Sequence, residues 1–242
     1  MSARYQRRFD EQRVTDLFAL GNVNGRILEL APDYNAAPET MQPVIVWDDQ
    51  FKIRRLLMML WRFLPRFIGD PKQFTTPTHN AKGETLLRNH IWRDSFLTKR
   101  CLIPLDSFIE WRTEATRRLP YVFAMKDGAP FALGGVWSRW WSPAHCHGVD
   151  TFAIITVKPN KLVAERTGHN RMPLVVGKRH WQRWLEPGDP DQPPVDLLRP
   201  YSSECMTAWR TDEKINDVKN NGPDLGEPII DDLSSALADA DL

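Results

Sequence analysis

The chain has 242 residues, enough for one large domain with its own hydrophobic core, and at 42% hydrophobic and 26% charged it reads as an ordinary soluble globular protein. No apolar run of about 18 residues is present to span a membrane, and Met1 to Arg8 is polar and basic rather than a signal peptide. With three scattered cysteines (Cys101, Cys146, Cys205), free thiols in a reducing cytoplasmic compartment are expected. The net charge of +1 hides an asymmetry: from Asp224 onward there are six acidic residues and no Lys or Arg, which leaves +7 on the rest, a balance that suits a polyanionic partner.

Val14, Leu17 and Phe18 share one face of a helix expected to begin near Asp10 and stop at Gly21. A proline-rich turn follows from Ala31 to Pro43. Apolar runs of strand length come next: Val44 to Trp47, Leu56 to Trp61, Cys101 to Ile103 and Phe108 to Trp111. Tyr121 to Met125 and Phe131 to Val136 flank Asp127-Gly128, which reads as a hairpin turn. Phe152 to Val157 and Leu174 to Val176 read as buried strands, and Trp181, Trp184 and Leu185 as a short amphipathic helix closed by Pro187-Gly188. Strands outnumber helices and no repeat is visible. The expected fold is therefore α+β, a single domain over about 1–225 with a curved, barrel-like, mostly antiparallel sheet and flanking helices. Residues 226–242 are acidic and weakly patterned, and are expected to form a disordered tail.

Several segments could carry chemistry, and each has a plain structural alternative. Removal of Met1 would leave Ser2 with a free α-amine of pKa near 7.7–8.0, partly an uncharged nucleophile at neutral pH. Thr78 to Thr85 is a polar loop before an expected helix through Leu86 and Leu87. In it Asn80 could orient a nucleophile and Lys82 could meet a phosphate, or the segment could be only a turn and cap. Glu110 lies between apolar neighbours on an expected strand, either desolvated into the range of a general acid or on a solvated face. His169 and Arg171, in His169-Asn170-Arg171-Met172-Pro173, suit proton transfer and phosphate contact, though most loop histidines do neither. His145-Cys146-His147 matches zinc spacings poorly, and neither a metal nor a cofactor is expected. The stretch from Lys52 to Arg66 sets Lys52, Arg54, Arg55, Arg62 and Arg66 among Phe51, Trp61, Phe63 and Phe67. Cations beside stacking rings are what single-stranded nucleic acid needs, but an amphipathic element with its rings in the core gives a similar string.

In order, these segments resemble the SOS response-associated peptidase (SRAP) family of abasic-site processing, DNA–protein crosslinking proteins. The family's Met-Cys-Gly-Arg start is Met1-Ser2-Ala3-Arg4 here. Its Tyr-Asn-x-Ala-Pro segment is Tyr34 to Pro38, its Asn-Ala-Arg/Lys-x-Glu-Thr is Asn80 to Thr85, and its Arg-Cys-Leu-Ile-Pro-x-Asp-x-Phe/Tyr-x-Glu-Trp is Arg100 to Trp111. Its Thr-Phe-x-Ile-Ile-Thr and His-x-Arg-Met-Pro are Thr151 to Thr156 and His169 to Pro173.

The resemblance implies a mechanism in which the processed N-terminal residue attacks the aldehyde of an abasic site in single-stranded DNA. A Schiff base forms, and the family's cysteine thiol then closes a stable thiazolidine. It assigns catalytic roles to the positions of Ser2, Asn80, Glu110 and His169, and DNA contacts to Arg4, Asn35, Pro38, Trp61 (as a wedge against bases), Lys82 and Arg171. Removal of the initiator Met accounts for the peptidase label, and a monomer acting in the DNA-damage (SOS) response is expected. Ser2 is the departure, since a serine imine closes only to an oxazolidine, which hydrolyses more readily. Ala3 in place of Gly, and Trp61-Arg62 in place of Trp-Gly, depart as well. Several outcomes stay open: Schiff-base chemistry with strand cleavage by β-elimination (a lyase), binding of abasic DNA without chemistry, an engineered substitution of an active parent, or an N-terminal-serine hydrolase acting on peptides.

Overall fold

The computed structural model describes residues 4–21, 30–142 and 147–229. Ser2, His145-Cys146 and the tail beyond Ile229 lie outside the described residues. The first half of the chain forms β1 (Tyr5–Arg7), α1 (Glu11–Phe18), β2 (Asp33–Ala36), β3 (Met41–Asp48), β4 (Ile53–Leu60), β5 (Asn80–Lys82), α2 (Arg93–Thr98) and β6 (Arg100–Leu105). The second half adds β7 (Ser107–Glu114), β8 (Arg117–Met125), β9 (Phe131–Ser142), β10 (His147–Val157), α3 (Lys161–Thr167), β11 (Met172–Pro173), α4 (Trp181–Leu185) and β12 (Met206–Arg210).

Two sheets share the core. One is antiparallel, in the order β12-β8-β7-β1-β2. In the other, β4, β3, β6, β9 and β10 pair in turn, and a parallel bridge from Thr151 to Leu60 closes them into a five-stranded barrel. The expected α+β class and barrel-like sheet are thus what the chain adopts. β6 is buried along its whole length, as expected of a strand read as a continuous apolar run.

Closure depends on Gly134 and Gly135 in β9. A Cβ at Gly135 would stand 2.7 Å from the Ala153 carbonyl oxygen, and one at Gly134 would stand 2.8 Å from Leu174. Any side chain there would push the barrel strands or the Leu174–Val176 segment outward.

Local signals set the helix ends. Asp10 caps α1 by accepting from the Arg13 N–H at 2.9 Å, and Asn160 caps α3 by accepting from the Val163 N–H at 2.9 Å.

Three local expectations are corrected. The Asp127-Gly128 turn does not join a hairpin: β8 pairs with β7 and β12, whereas β9 pairs with β6 and β10, so the turn carries the chain from one sheet to the other. The expected helix through Leu86 and Leu87 is a single 3-10 turn at Gly83–Thr85. The strand expected at Leu174–Val176 falls at Met172–Pro173, with Val175 adding one bridge to Leu133. The described body also runs past residue 225, because Thr211 bridges to Pro228 and the Trp209 indole donates to the Gly226 carbonyl at 2.7 Å.

Candidate functional site

Glu110 sits in the fully buried first half of β7. A carboxylate with no solvent exposure needs a polar partner, and His169 supplies one: its Nδ1 is 3.1 Å from Glu110 Oε2. The backbone aims this histidine. α3 ends at Gly168, whose φ of +69° reverses the chain, and the His169 N–H then donates to Thr167 Oγ1 at 3.1 Å. With Glu110 ionised, Nδ1–H donates and Nε2 remains for proton transfer. The His169 side chain is 29% exposed, whereas the carboxylate is fully shielded.

Asn80 and Lys82 reach the same region on β5, which runs parallel to β10 with Asn80 opposite Ile154 and Lys82 opposite Thr156. Thr156 in turn holds Arg171, whose Nε and Nη2 donate to Thr156 Oγ1 at 3.3 and 3.1 Å. Arg171 Nη1 donates to both carboxylate oxygens of Glu84, each at 2.8 Å. Burial alone would raise the Glu84 pKa, but hydrogen bonds from its own backbone and from Arg171 outweigh it and hold the carboxyl below its ordinary value. His79, next to Asn80, is pushed below the usual histidine value by burial. Asn80, Lys82, Glu84 and Arg171 thus meet at one end of β10, and His169, two residues before Arg171, pairs with Glu110.

Other expected site residues lie elsewhere. Trp61, expected to wedge against bases, is fully buried: its ring lies 5.3 Å from Tyr5 and 6.0 Å from Phe152, so it offers no face to a base. Asn35 is also buried, and its amide N–H groups serve the carbonyls of Ile215, Asp217 and Asn220 at 3.2, 3.0 and 2.9 Å.

The Arg4 carbonyl accepts from the Ile109 N–H at 3.1 Å, so the Arg4 side chain lies on the face of β7 opposite Glu110. There Arg4 donates to Asn35 Oδ1 at 3.0 Å and to the Ile215 carbonyl at 2.9 Å, with its guanidinium 5.9 Å from the Trp111 ring centre. Burial first, and then Arg118, lower its pKa. Pro38 is half-buried in a turn that the Trp61 backbone fastens at both Glu39 and Thr40. Within the basic stretch, Trp61 and Phe63 are core, while Phe51 and Phe67 are exposed.

Sequence reasoning missed Glu84 and Thr156 as the partners of Arg171. The available signal was an acid four residues after Asn80 in the same segment, but nothing local ties it to a residue 87 positions on. No group of metal-ligating side chains occurs among the described residues, and no helix there is long and apolar enough to cross a membrane.

The family model described as SOS response associated peptidase (SRAP) matches residues 1–218. The chain belongs to the SRAP family. Among its SRAP relatives, the abasic site processing protein YoqW of Bacillus subtilis (strain 168) is 33% identical over 82% of this chain and 87% of its own. The abasic site processing protein YoaM of the same organism is 31% identical over 81% and 85%. The fold of this SRAP chain is also that of two solved structures. A Bordetella bronchiseptica protein matches with a TM-score of 0.72 and 22% identity, over 87% of this chain and 99% of that one. A Bacteroides thetaiotaomicron protein matches with a TM-score of 0.71 and 24% identity, over 79% and 82%.

Proposed function

We propose that this chain binds single-stranded DNA at abasic sites and engages the ring-opened aldehyde through the α-amine of Ser2, exposed by removal of Met1. The observation that carries the reading is the buried Glu110 carboxylate held 3.1 Å from His169 Nδ1, with His169 part-exposed at the edge of the cluster. Family membership and the names of the relatives support the substrate. Covalent geometry supports the nucleophile: two residues span at most about 7 Å, and the Arg4 carbonyl is bonded to Ile109, next to Glu110.

The neutral amine adds to the aldehyde carbon to give a carbinolamine. His169 delivers a proton to the departing hydroxyl, and water leaves as the Schiff base forms. Glu110 holds the imidazole in one tautomer and stabilises its protonated form. Asn80 positions the amine, and Lys82 and Arg171 meet phosphates, Arg171 by exchanging Glu84 for the DNA. With a hydroxyl in place of a thiol, the imine closes only to an oxazolidine that hydrolyses readily. The durable outcome is therefore strand cleavage, in which the Schiff base loses a C2′ proton to solvent and the C3′–O bond breaks, the 3′ phosphate leaving with the electron pair.

A denaturing gel of the protein with a single-stranded abasic oligonucleotide, with and without borohydride, tests this. Wild type should give a borohydride-dependent adduct at Ser2 together with cleaved strand, and a Ser2→Cys variant a heat-stable band without reductant. Absence of a borohydride-dependent Ser2 adduct in wild type would refute the reading.

A further inference from the structure

The end of β9 carries a surface that the site does not use. β9 pairs with β6 as far as Val136 and the Trp137 N–H still donates to the Lys99 carbonyl at 2.9 Å, so that from residue 138 onward β10 is its strand partner. Side chains alternate along this overhang. Ser138 and Trp140 point inward, and the Trp140 indole donates to the Ile68 carbonyl at 2.7 Å. Trp137, Arg139 and Trp141 point outward, with Trp141 55% exposed. Trp141 thus leaves more than half of its surface in water.

Cations surround these rings. The Lys99 ammonium lies 4.1 Å from the Trp137 ring centre. Its pKa is lowered first by burial and then by the like charge of Arg66, with Asp150 opposing and Arg139 adding to the shift. Asp150 partners Arg139 at 3.0 Å and offsets part of that charge. Next to Arg66, Phe67 is 63% exposed with its ring 5.4 Å from that of His90. Trp137 and Trp141, four residues apart on one face, stand about 13 Å from each other along the strand.

We infer that this overhang is a second contact surface for single-stranded DNA, with Trp141 and Trp137 stacking on bases and Lys99, Arg66 and Arg139 meeting phosphates. The inference rests on the proposed DNA-binding role and extends it to strand lying beyond the lesion. Exposed rings among cations favour an unpaired strand, because only unpaired bases present their faces, and stacking of this kind tolerates any sequence. An acidic peptide would answer the charge but would leave the indole faces without a partner.

The test measures binding by fluorescence anisotropy for abasic strands of about 6 and about 16 nucleotides, the range covered by single-strand-binding modules. Wild type, Trp141→Ala and Lys99→Gln are compared, with unfolding midpoints as the folding control and borohydride trapping as the readout of the site. Wild type should bind the longer strand more tightly. Each variant should lose about fivefold or more on the longer strand, while the shorter strand and trapping stay unchanged. Variants that match wild type on both lengths would overturn the inference. If wild type traps no adduct yet gains affinity with length through Trp141 and Lys99, the surface stands and the proposed chemistry falls.

Discussion

The indole N–H of Trp61 donates to the carbonyl oxygen of His79 at 2.9 Å, and the Ile154 N–H reaches the same oxygen at 3.0 Å. A buried core ring and a barrel strand therefore grip one carbonyl, and the next residue is Asn80. Trp61 acts on the site by registering β5 against β10 rather than by touching a ligand. Trp61→Phe keeps a ring but removes the donor. Chemical denaturation should show a loss of about 1–3 kcal/mol. Borohydride trapping should slow while affinity for undamaged strand holds. Unchanged trapping would mean that Asn80 keeps its place without the indole.

Glu110→Gln preserves shape and hydrogen-bonding reach but no longer stabilises a protonated imidazole. The rate of adduct formation should fall about 100-fold or more, with strand affinity unchanged, as expected when a proton-transfer pair is broken. A matching loss in His169→Gln, with no further loss in the double variant, would show that the two act as a unit.

Arg171 is paired with Glu84 in this structure, so a DNA phosphate at Arg171 would have to displace Glu84. Glu84→Gln should tighten single-strand binding about two- to fivefold at low salt, the worth of a partly exposed ion pair. Arg171→Gln should make the salt dependence shallower by about 0.7 in the log–log slope. Acid should also break the pair. The folded Glu84 pKa lies below its ordinary value, so this contribution to stability is present above the unfolded pKa and is lost as pH falls through the folded value.

His79 titrates with the opposite consequence for charge. Its folded pKa is lowered by burial from 6.5, so the unfolded chain takes up its proton first as pH falls. Stability should be complete above pH 6.5 and decline below it, levelling off under the folded pKa. Unfolding curves from pH 8 to 5 should show the decline, and His79→Asn should flatten it. An equal decline in the variant would assign the effect elsewhere.

Arg100 is buried with no carboxylate partner among the described residues, and burial lowers its pKa to about 10. Its donors go to carbonyls at the ends of two helices: Phe96 and Leu97 of α2 at 2.7 and 2.9 Å, and Trp184 of α4 with Glu186 beyond it at 2.6 and 2.5 Å. Favourable helix dipoles meet the cation there. Arg100→Met should cost about 2–4 kcal/mol, because it leaves those carbonyls short of donors. A calorimetric or denaturant midpoint close to wild type would contradict the clamp.

The barrel was legible wherever a strand is buried on both faces, as in β6 and β10, because such strands read as continuous apolar runs. Glu110 could be singled out as a carboxylate among apolar neighbours, but its burial depends on α3 packing across β7, which no local pattern reports. Trp61 misled because an amphipathic string does not say which way its rings point. Asn35 misled because the acceptors of its amide N–H groups lie 180 residues and more away. The Asp127-Gly128 turn carried a correct local signal, yet pairing is decided by distant strands. Non-local partners are what a single sequence conceals.

Gln6 of β1 donates to the Tyr34 carbonyl at 3.0 Å and to the Leu225 carbonyl at 2.8 Å, and Asn35 and Arg4 fasten the same edge to Ile215. β1 is therefore secured not only by its neighbours β2 and β7 but also by residues more than 200 positions further along the chain. Contacts of such long sequence separation also slow folding. Loss of the segment 215–225 would therefore loosen an edge strand that lies near the other end of the sequence.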